Sequence, residues 1–281
     1  MAGLGSIQEE RETKRAHQKP NSNASVLKIT EEGVSFRSYR DGTKIFLSPE
    51  SSVDAQKAFG ADIIIPLDEL PPHNIDDATL MSSLKRTHRW EKRSLDRHLE
   101  NIQQQAMYGV IHGSTSTKLR ELSTDIISSM EFDGLAIGGS LGTTKEDLIK
   151  IFQAVMPKLH QEETPRPVHL LGIGDEESIV EGIKYGIDQF DSALPTKVAR
   201  HGTIFLKTGR INIRASKWKN DLTPLDEACD CTTCLNHSKA YLHHLWKANE
   251  PVVHNLLSHH NLKYTLNVMK EQREGILAGR I

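Results

Sequence analysis

The sequence is short of cysteine, of aromatic residues and of long apolar runs, and neither charge sign dominates it. Its three cysteines, Cys229, Cys231 and Cys234, fall within six residues of a 281-residue chain, so no disulfide framework can be drawn through it. No stretch approaches the roughly 20 apolar residues that span a bilayer, and the first residues lack the apolar segment of a secretory signal. A cytoplasmic protein with reduced thiols and no membrane partner is expected. Lys+Arg of 35 against Asp+Glu of 37 leaves a net charge of −2, so a nucleic-acid partner has to be met by a local basic stripe, not by the average field. Aromatic residues are 5% of the chain, yet a hydrophobic fraction of 37% suffices for a core. The length fits two average domains or one α/β barrel, which typically takes about 250 residues.

Residues 1–24 are polar and charged without periodicity, and read as an arm that carries no core. Over 25–48, Val26, Leu27 and Ile29, then Val34 and Phe36, then Ile45 and Leu47 alternate with polar residues. The turn signals Glu31-Glu32-Gly33 and Arg40-Asp41-Gly42 separate them, which predicts an antiparallel hairpin or meander. Ser48-Pro49-Glu50 supplies a cap, a first-turn proline and an acidic first turn for a helix that stops at Gly60. Short apolar runs then recur at 63–65, 108–111, 135–137, 169–171 and 187–190, suited to parallel strands buried on both faces. Helical patterns lie between them at 76–105, 116–130, 144–158 and 175–185.

Five β/α units in series fit a doubly wound sheet or a barrel. Asp68-Glu69, His112-Gly113, Gly138-Gly139, Gly172 and Asp191 each stand directly after an apolar run. In a barrel such positions converge on one rim, whereas a doubly wound sheet concentrates chemistry at one switch point, so the barrel is favoured. A closed barrel takes eight strands. The α/β part over 49–202 is therefore expected to be an incomplete (β/α)8 barrel, preceded by the hairpin as an insertion and followed by a distinct region at 203–281.

In that last region, Cys229-x-Cys231-x2-Cys234 has the spacing of a structural zinc site, which takes four tetrahedral nitrogen or sulfur ligands. Three close thiolates need one more ligand, normally an imidazole; His237, His243, His244, His254, His259 and His260 are candidates, and spacing does not choose among them. The surroundings, DEACDCTTCLN, are polar, unlike the apolar run in which purely structural cysteines sit. Between Lys197 and Lys219 there are seven basic residues and no acidic one, with Trp218 available to stack or pack. A solvated basic face is the plain explanation; the nearby Asp191 points to a polyanionic substrate.

The segments TEEGVSFRS (30–38), FDGLAIGG (132–139), FDSALPTKVARHG (190–202), CDCTTC (229–234), KAYLHHL (239–245) and HN (260–261) stand in one order along the chain. With them the chain resembles the tRNA-guanine transglycosylases, the queuine tRNA-ribosyltransferase family, from about Lys28 to the C-terminus, and most nearly bacterial members of the chlamydial type. The resemblance implies a TIM-type (β/α)8 barrel with a zinc-binding C-terminal subdomain. It implies a cytoplasmic pentosyltransferase of queuosine biosynthesis that exchanges guanine 34 of GUN anticodons, in tRNAs for Asp, Asn, His and Tyr, for queuine or its precursor.

By the same resemblance Asp191 is the nucleophile, forming a covalent ribosyl-aspartate intermediate. Asp68 reads the incoming 7-deazaguanine or guanine, Gly139 contacts it through the backbone, and Leu171-Gly172 walls the pocket, although Leu171 fits core packing equally well. Lys197 and Arg200 hold the anticodon loop of the tRNA partner. One structural zinc is held by Cys229, Cys231, Cys234 and His260. His112 stands where the family usually has Gln, which alters one base-recognising hydrogen-bond pair and makes it pH dependent. Gly142, at a variable position after the glycine pair, would leave room for the cyclopentenediol of queuine.

One family motif does not occur in the chain: Asp-Ser-Gly-Gly-Phe-Gln, at the end of the third barrel strand, which carries the second catalytic carboxylate. Residues 3–38 resemble the segment that follows it, so the last five β/α units are expected and the first three strands are not. Either the N-terminal part is lost through truncation or a misplaced start, or a partner supplies it, as a homodimer or a full-length subunit. The rival class is a non-catalytic tRNA-binding accessory subunit or an inactive fragment.

Overall fold

The computed structural model describes residues 26–71 and 75–281, and the polar arm read at 1–24 lies outside them. The alternating segment forms a three-stranded antiparallel meander, β1 (Val26–Ile29), β2 (Val34–Arg37) and β3 (Lys44–Leu47), in that order. Its register pairs Val34 with Leu47 and Phe36 with Ile45. Helix α1 (Pro49–Phe59) begins as its sequence requires: Ser48 and Ser51 form a reciprocal capping box, and Gly60 ends the helix.

Helix α2 (Asp77–Leu99) pins the meander through three residues on one face. Arg89 pairs with Glu31, and the Trp90 indole donates to Glu31 O at 2.8 Å. Arg93 forks onto the Glu50 carboxylate at 2.7 and 2.8 Å and donates to Glu31 O and Glu32 O. The Arg93 guanidinium holds the Glu50 carboxyl down at about 2. Because the folded value lies below the unfolded one, the resulting stability is present above the ordinary carboxylate range. It drains away as the pH falls from about 4.5 to about 2. Glu50→Gln should flatten that acid limb in a stability profile measured against pH; an unchanged limb would refute the coupling.

Strands β4 (Ile63–Ile64), β5 (Ala106–Ile111), β6 (Gly134–Ile137), β7 (Val168–Leu170) and β8 (Gln189–Phe190) form a curled half-barrel sheet in sequence order. The paired strands β4 to β7 run parallel. Their apolar runs are buried as two-faced strands require: Ile64, Met107, Val110, Ile111, Leu135, Ile137 and Leu170 are inaccessible. Helices α3 (Thr117–Ser128) and α4 (Lys145–Leu159) supply Ile127, Ile151, Phe152 and Val155 to the same core.

One long helical pattern stops early. It runs to 105 by periodicity, but α2 ends at Leu99 and the chain turns through Gln103 at φ 56. The turn lets Ala106 N–H reach Asp62 O at 2.9 Å and start β5, while Lys57 Nζ holds Asn101 O at 2.7 Å.

The chain divides into two compact units. The first comprises the described residues of Met1–Leu171 with Tyr185–Gln189, the second Gly172–Lys184 with Phe190–Ile281. The second holds α5 (Glu176–Lys184), α6 (Leu194–Ala199), the hairpin β9 (Thr203–Leu206) and β10 (Gly209–Asn212), α7 (Thr232–Asn236), α8 (Lys239–Lys247) and the 26-residue α9 (Val252–Leu277). Its core gathers Ile204, Ile213, Leu225, Leu242, Val253 and Leu257 around Cys231 and Cys234. No helix among the described residues is long and apolar enough to cross a membrane.

Candidate functional site

In the first unit the ends of β4, β5 and β6 carry a pocket. Ala106 N–H pairs with Asp62 O at the start of β5. Beyond the two residues of β4 the chain peels away at Pro66, and the N–H of Val110 on that same edge is taken by Glu91 Oε2 of α2 at 2.9 Å. Asp68 and His112 stand in the gap so opened, with His112 Nε2 2.9 Å from Asp68 Oδ2. That contact is close enough for an ion pair when the ring is protonated, but it lacks the direction of a hydrogen bond.

Neighbouring groups place the residue. The backbone N–H of His112 donates to Ser123 Oγ at 3.0 Å, and that hydroxyl lies 2.9 Å from His88 Nε2. Burial pulls His88 down to about 4, so it is neutral at pH 7. Gly139 takes the left-handed φ of +77°, and a Cβ there would lie 2.9 Å from His112 Nδ1. Glycine is thus demanded both by the backbone and by the approach of the ring. Leu70, Pro71 and Leu80 give the pocket its apolar side, opposite His112, Gly139 and Ser140.

Glu91, which sequence reasoning missed, is wholly buried. Burial pushes its carboxyl well above the ordinary range, with the Asp68 charge adding to the shift against the Val110 N–H. Its carboxylate oxygen serves as the edge partner that β4 withholds. Gly142 corrects another expectation: a Cβ there would meet Asp147 Cβ at 2.3 Å. The space it leaves is filled by the Asp147 side chain, which caps α4, and does not widen the pocket. Leu171 is half-buried, with its side chain against Gly138.

The second unit carries the other carboxylate. Asp191 is exposed directly after β8, and Gly172 N–H donates to its Oδ1 at 2.8 Å. Gly172 presents that amide from a φ of +75°, with nothing within 4 Å of its missing Cβ, so the backbone angle alone explains the glycine. Lys197 and Arg200 follow on and after α6, Arg200 exposed and Lys197 half-buried. Arg210, Arg214, Lys217 and Lys219 of the basic stripe are exposed, while Lys207 is paired with Glu271. Trp218 is not free to stack: its indole donates to Asn212 O, and Lys217 and Lys239 lie against its ring.

Cys229, Cys231, Cys234 and His260 bring one ligand atom each to within 4.8 Å of one another. Cys231 caps α7 and Cys234 sits one turn on, so the two-residue spacing puts both sulfurs on one side, and Cys234 N–H donates to Cys231 Sγ. His260 Nδ1 lies 3.6 Å from Cys231 Sγ and 3.2 Å from Cys234 Sγ. Its Nε2 donates to Phe205 O at 2.9 Å, which leaves the Nδ1 lone pair facing the sulfurs. Burial raises the Cys229 and Cys234 thiols and lowers the His260 imidazole. Three thiols and a deprotonated imidazole nitrogen, oriented by a backbone carbonyl, form a donor set that fits a metal ion. Of the other candidates, His243 is taken by Ile213 O and His237 stacks on Tyr241.

Asn261 links this cluster to α6. Fully buried, it donates to Pro195 O and Thr203 O and accepts from Phe205 N–H, each at 3.0 Å. Adjacent residues of α9 therefore serve the cluster and anchor the helix that bears Lys197.

A family model described as Queuine tRNA-ribosyltransferase matches residues 14–281. The chain is 49% identical over 251 residues to the queuine tRNA-ribosyltransferase of Protochlamydia amoebophila, an alignment covering 89% of this chain and 64% of that protein. It is 49% identical over 278 residues to that of Chlamydia felis, covering 99% and 73%, and 50% identical over 264 residues to that of Chlamydia abortus, covering 94% and 70%. The chain thus spans between 64% and 73% of the length of these relatives. On a match reaching from residue 14 to the last residue, the chain belongs to the queuine tRNA-ribosyltransferase family.

Proposed function

We propose that the chain acts in tRNA-guanine exchange, replacing guanine at the wobble position of GUN anticodons, in tRNAs for Asp, Asn, His and Tyr, by queuine or a related 7-deazaguanine. The observation that carries this reading is Asp191, exposed at a strand end and oriented by the Gly172 amide, in a chain of this family. An Asp191 carboxylate oxygen attacks C1′ of the ribose while the bond from C1′ to guanine N9 breaks, and the base departs with that electron pair and takes a proton. N9 of the incoming base then attacks C1′, loses its proton and releases the carboxylate, so configuration is retained overall. The proton transfers call for a second carboxylate beside Asp191, which a longer subunit carrying the Asp-Ser-Gly-Gly-Phe-Gln segment would supply.

Asp68 accepts hydrogen bonds from the donors of the base, with His112 steadying Asp68; Gly139, Leu171 and Gly172 are the further residues assigned to base contact. Lys197 and Arg200 bind the anticodon loop, with the exposed cations of the stripe on its phosphates. Zinc is the ion the Cys3His set suits, and it supplies structure to the second unit without taking part in the exchange. The setting for these steps is the cytoplasm, where the thiols stay reduced.

Labelled guanine should enter an unmodified tRNA with a GUN anticodon when this chain is added together with a longer family member whose own nucleophile has been replaced by Asn, and queuine should compete with it. Salt-sensitive tRNA binding without incorporation would replace this reading with that of a tRNA-binding accessory subunit. Absence of both would sink it.

A further inference from the structure

We propose that Arg120 is a positioning residue that locks the two edges of the base pocket to each other. The inference rests on the base-exchange reading for its ligand, and on geometry for the rest. Arg120 lies on the inner stripe of α3 with Leu119, Ser123 and Ile127 and is wholly buried. Its guanidinium makes no ion pair among the described residues. Instead it donates to four backbone carbonyls: Nη1 to Ile111 O at 2.7 Å and Gly138 O at 2.8 Å, Nη2 to Ser140 O at 2.9 Å, and Nε to Ser114 O at 2.8 Å.

These carbonyls bracket the pocket. Ile111 and Ser114 flank His112-Gly113 after β5, and Gly138 and Ser140 flank Gly139 after β6. One planar cation therefore spans both loops, a task that suits the fixed fork of arginine and not the single ammonium of lysine. The loop after β5 has no slack, since a Cβ on Gly113 would come within 2.6 Å of Arg120 N. Burial lowers the guanidinium only to about 9, so the charge survives at neutral pH. A buried cation is a costly way to fill space, and an aliphatic side chain would pack α3 at less expense. Holding four strand-end carbonyls, and with them the separation of His112 from Gly139, accounts for its presence.

The test compares the chain with Arg120→Lys, which keeps the charge and loses the fork, and with Arg120→Met. Binding of labelled guanine is read by equilibrium dialysis, tRNA binding by titration, and loop opening by amide hydrogen exchange. In Arg120→Lys the amides of 112–115 and 138–142 should exchange at least about tenfold faster, and guanine should bind about tenfold more weakly or worse. Binding of tRNA and protection in α9 should stay unchanged. Arg120→Met should show the same pattern, more strongly, wherever its melting transition shows that it folds. Unchanged loop exchange, or unchanged guanine affinity, in Arg120→Lys would overturn the inference. Failure of the unsubstituted chain to bind guanine would instead overturn the base-exchange reading, and the pocket role with it.

Discussion

Asp191→Asn is expected to lower guanine incorporation by at least about a thousandfold, the scale on which enzymes lose activity with a covalent nucleophile. The substitution isolates chemistry from structure. The carboxamide keeps the size of the side chain and a carbonyl oxygen to accept the 2.8 Å hydrogen bond from Gly172 N–H. What disappears is the negative charge and one of the two carboxylate oxygens, the group proposed to bond C1′. The melting transition and tRNA affinity should therefore remain close to those of the parent chain. A denaturing gel should show an RNA–protein adduct for the parent and none for the variant. Retention of more than about a tenth of the incorporation would assign the nucleophile elsewhere, since a carboxamide cannot replace a carboxylate in covalent catalysis.

Removal of the metal should be the largest blow to stability. Zinc bound by thiolates and imidazole is worth on the order of 10 kcal/mol to small sites of this kind. Cys231 and Cys234 sit inside the second unit's core with Leu242 and Leu257, so losing the ion leaves buried thiols that repack poorly. The effect should travel through Asn261 to Pro195 O and Thr203 O, loosening α6 and weakening tRNA binding along with the fold. Metal analysis should give one ion per chain in the parent and none after Cys234→Ser or strong chelation, with a large fall in the melting midpoint. A metal-free chain that melts at the parent's temperature would show the ion to be dispensable.

The sheet was legible because parallel strands buried on both faces leave uninterrupted apolar runs, such as Met107 to Ile111 and Leu135 to Ile137. Asp68 and Asp191 were legible from rank, each following such a run. The three cysteines stood out by spacing, but His260 did not; five other histidines shared its neighbourhood, and only the fold of α9 brings its Nδ1 to the sulfurs. Glu91 and Arg120 look like ordinary surface charges in a helix. Their burial depends on backbone groups from other elements, the Val110 amide and four strand-end carbonyls. A charge set in an otherwise apolar helical stripe was the available signal. The β9–β10 hairpin also escaped notice, because its tight turn uses Lys207-Thr208 between the paired Leu206 and Gly209, without the glycine or asparagine pair that marks most two-residue turns.

The order in which the chain visits its two units bears on any attempt to take the molecule apart. It passes between them three times, after Leu171, after Lys184 and after Gln189. A single proteolytic nick therefore frees neither unit intact. A fragment begun at Phe190 would lack α5, whose Glu176 accepts a hydrogen bond from the Tyr264 hydroxyl of α9 at 2.6 Å. It would also lack Gly172 and its amide, leaving Asp191 without the group that aims it. Splitting the chain within this stretch would separate the carboxylate from its own backbone support.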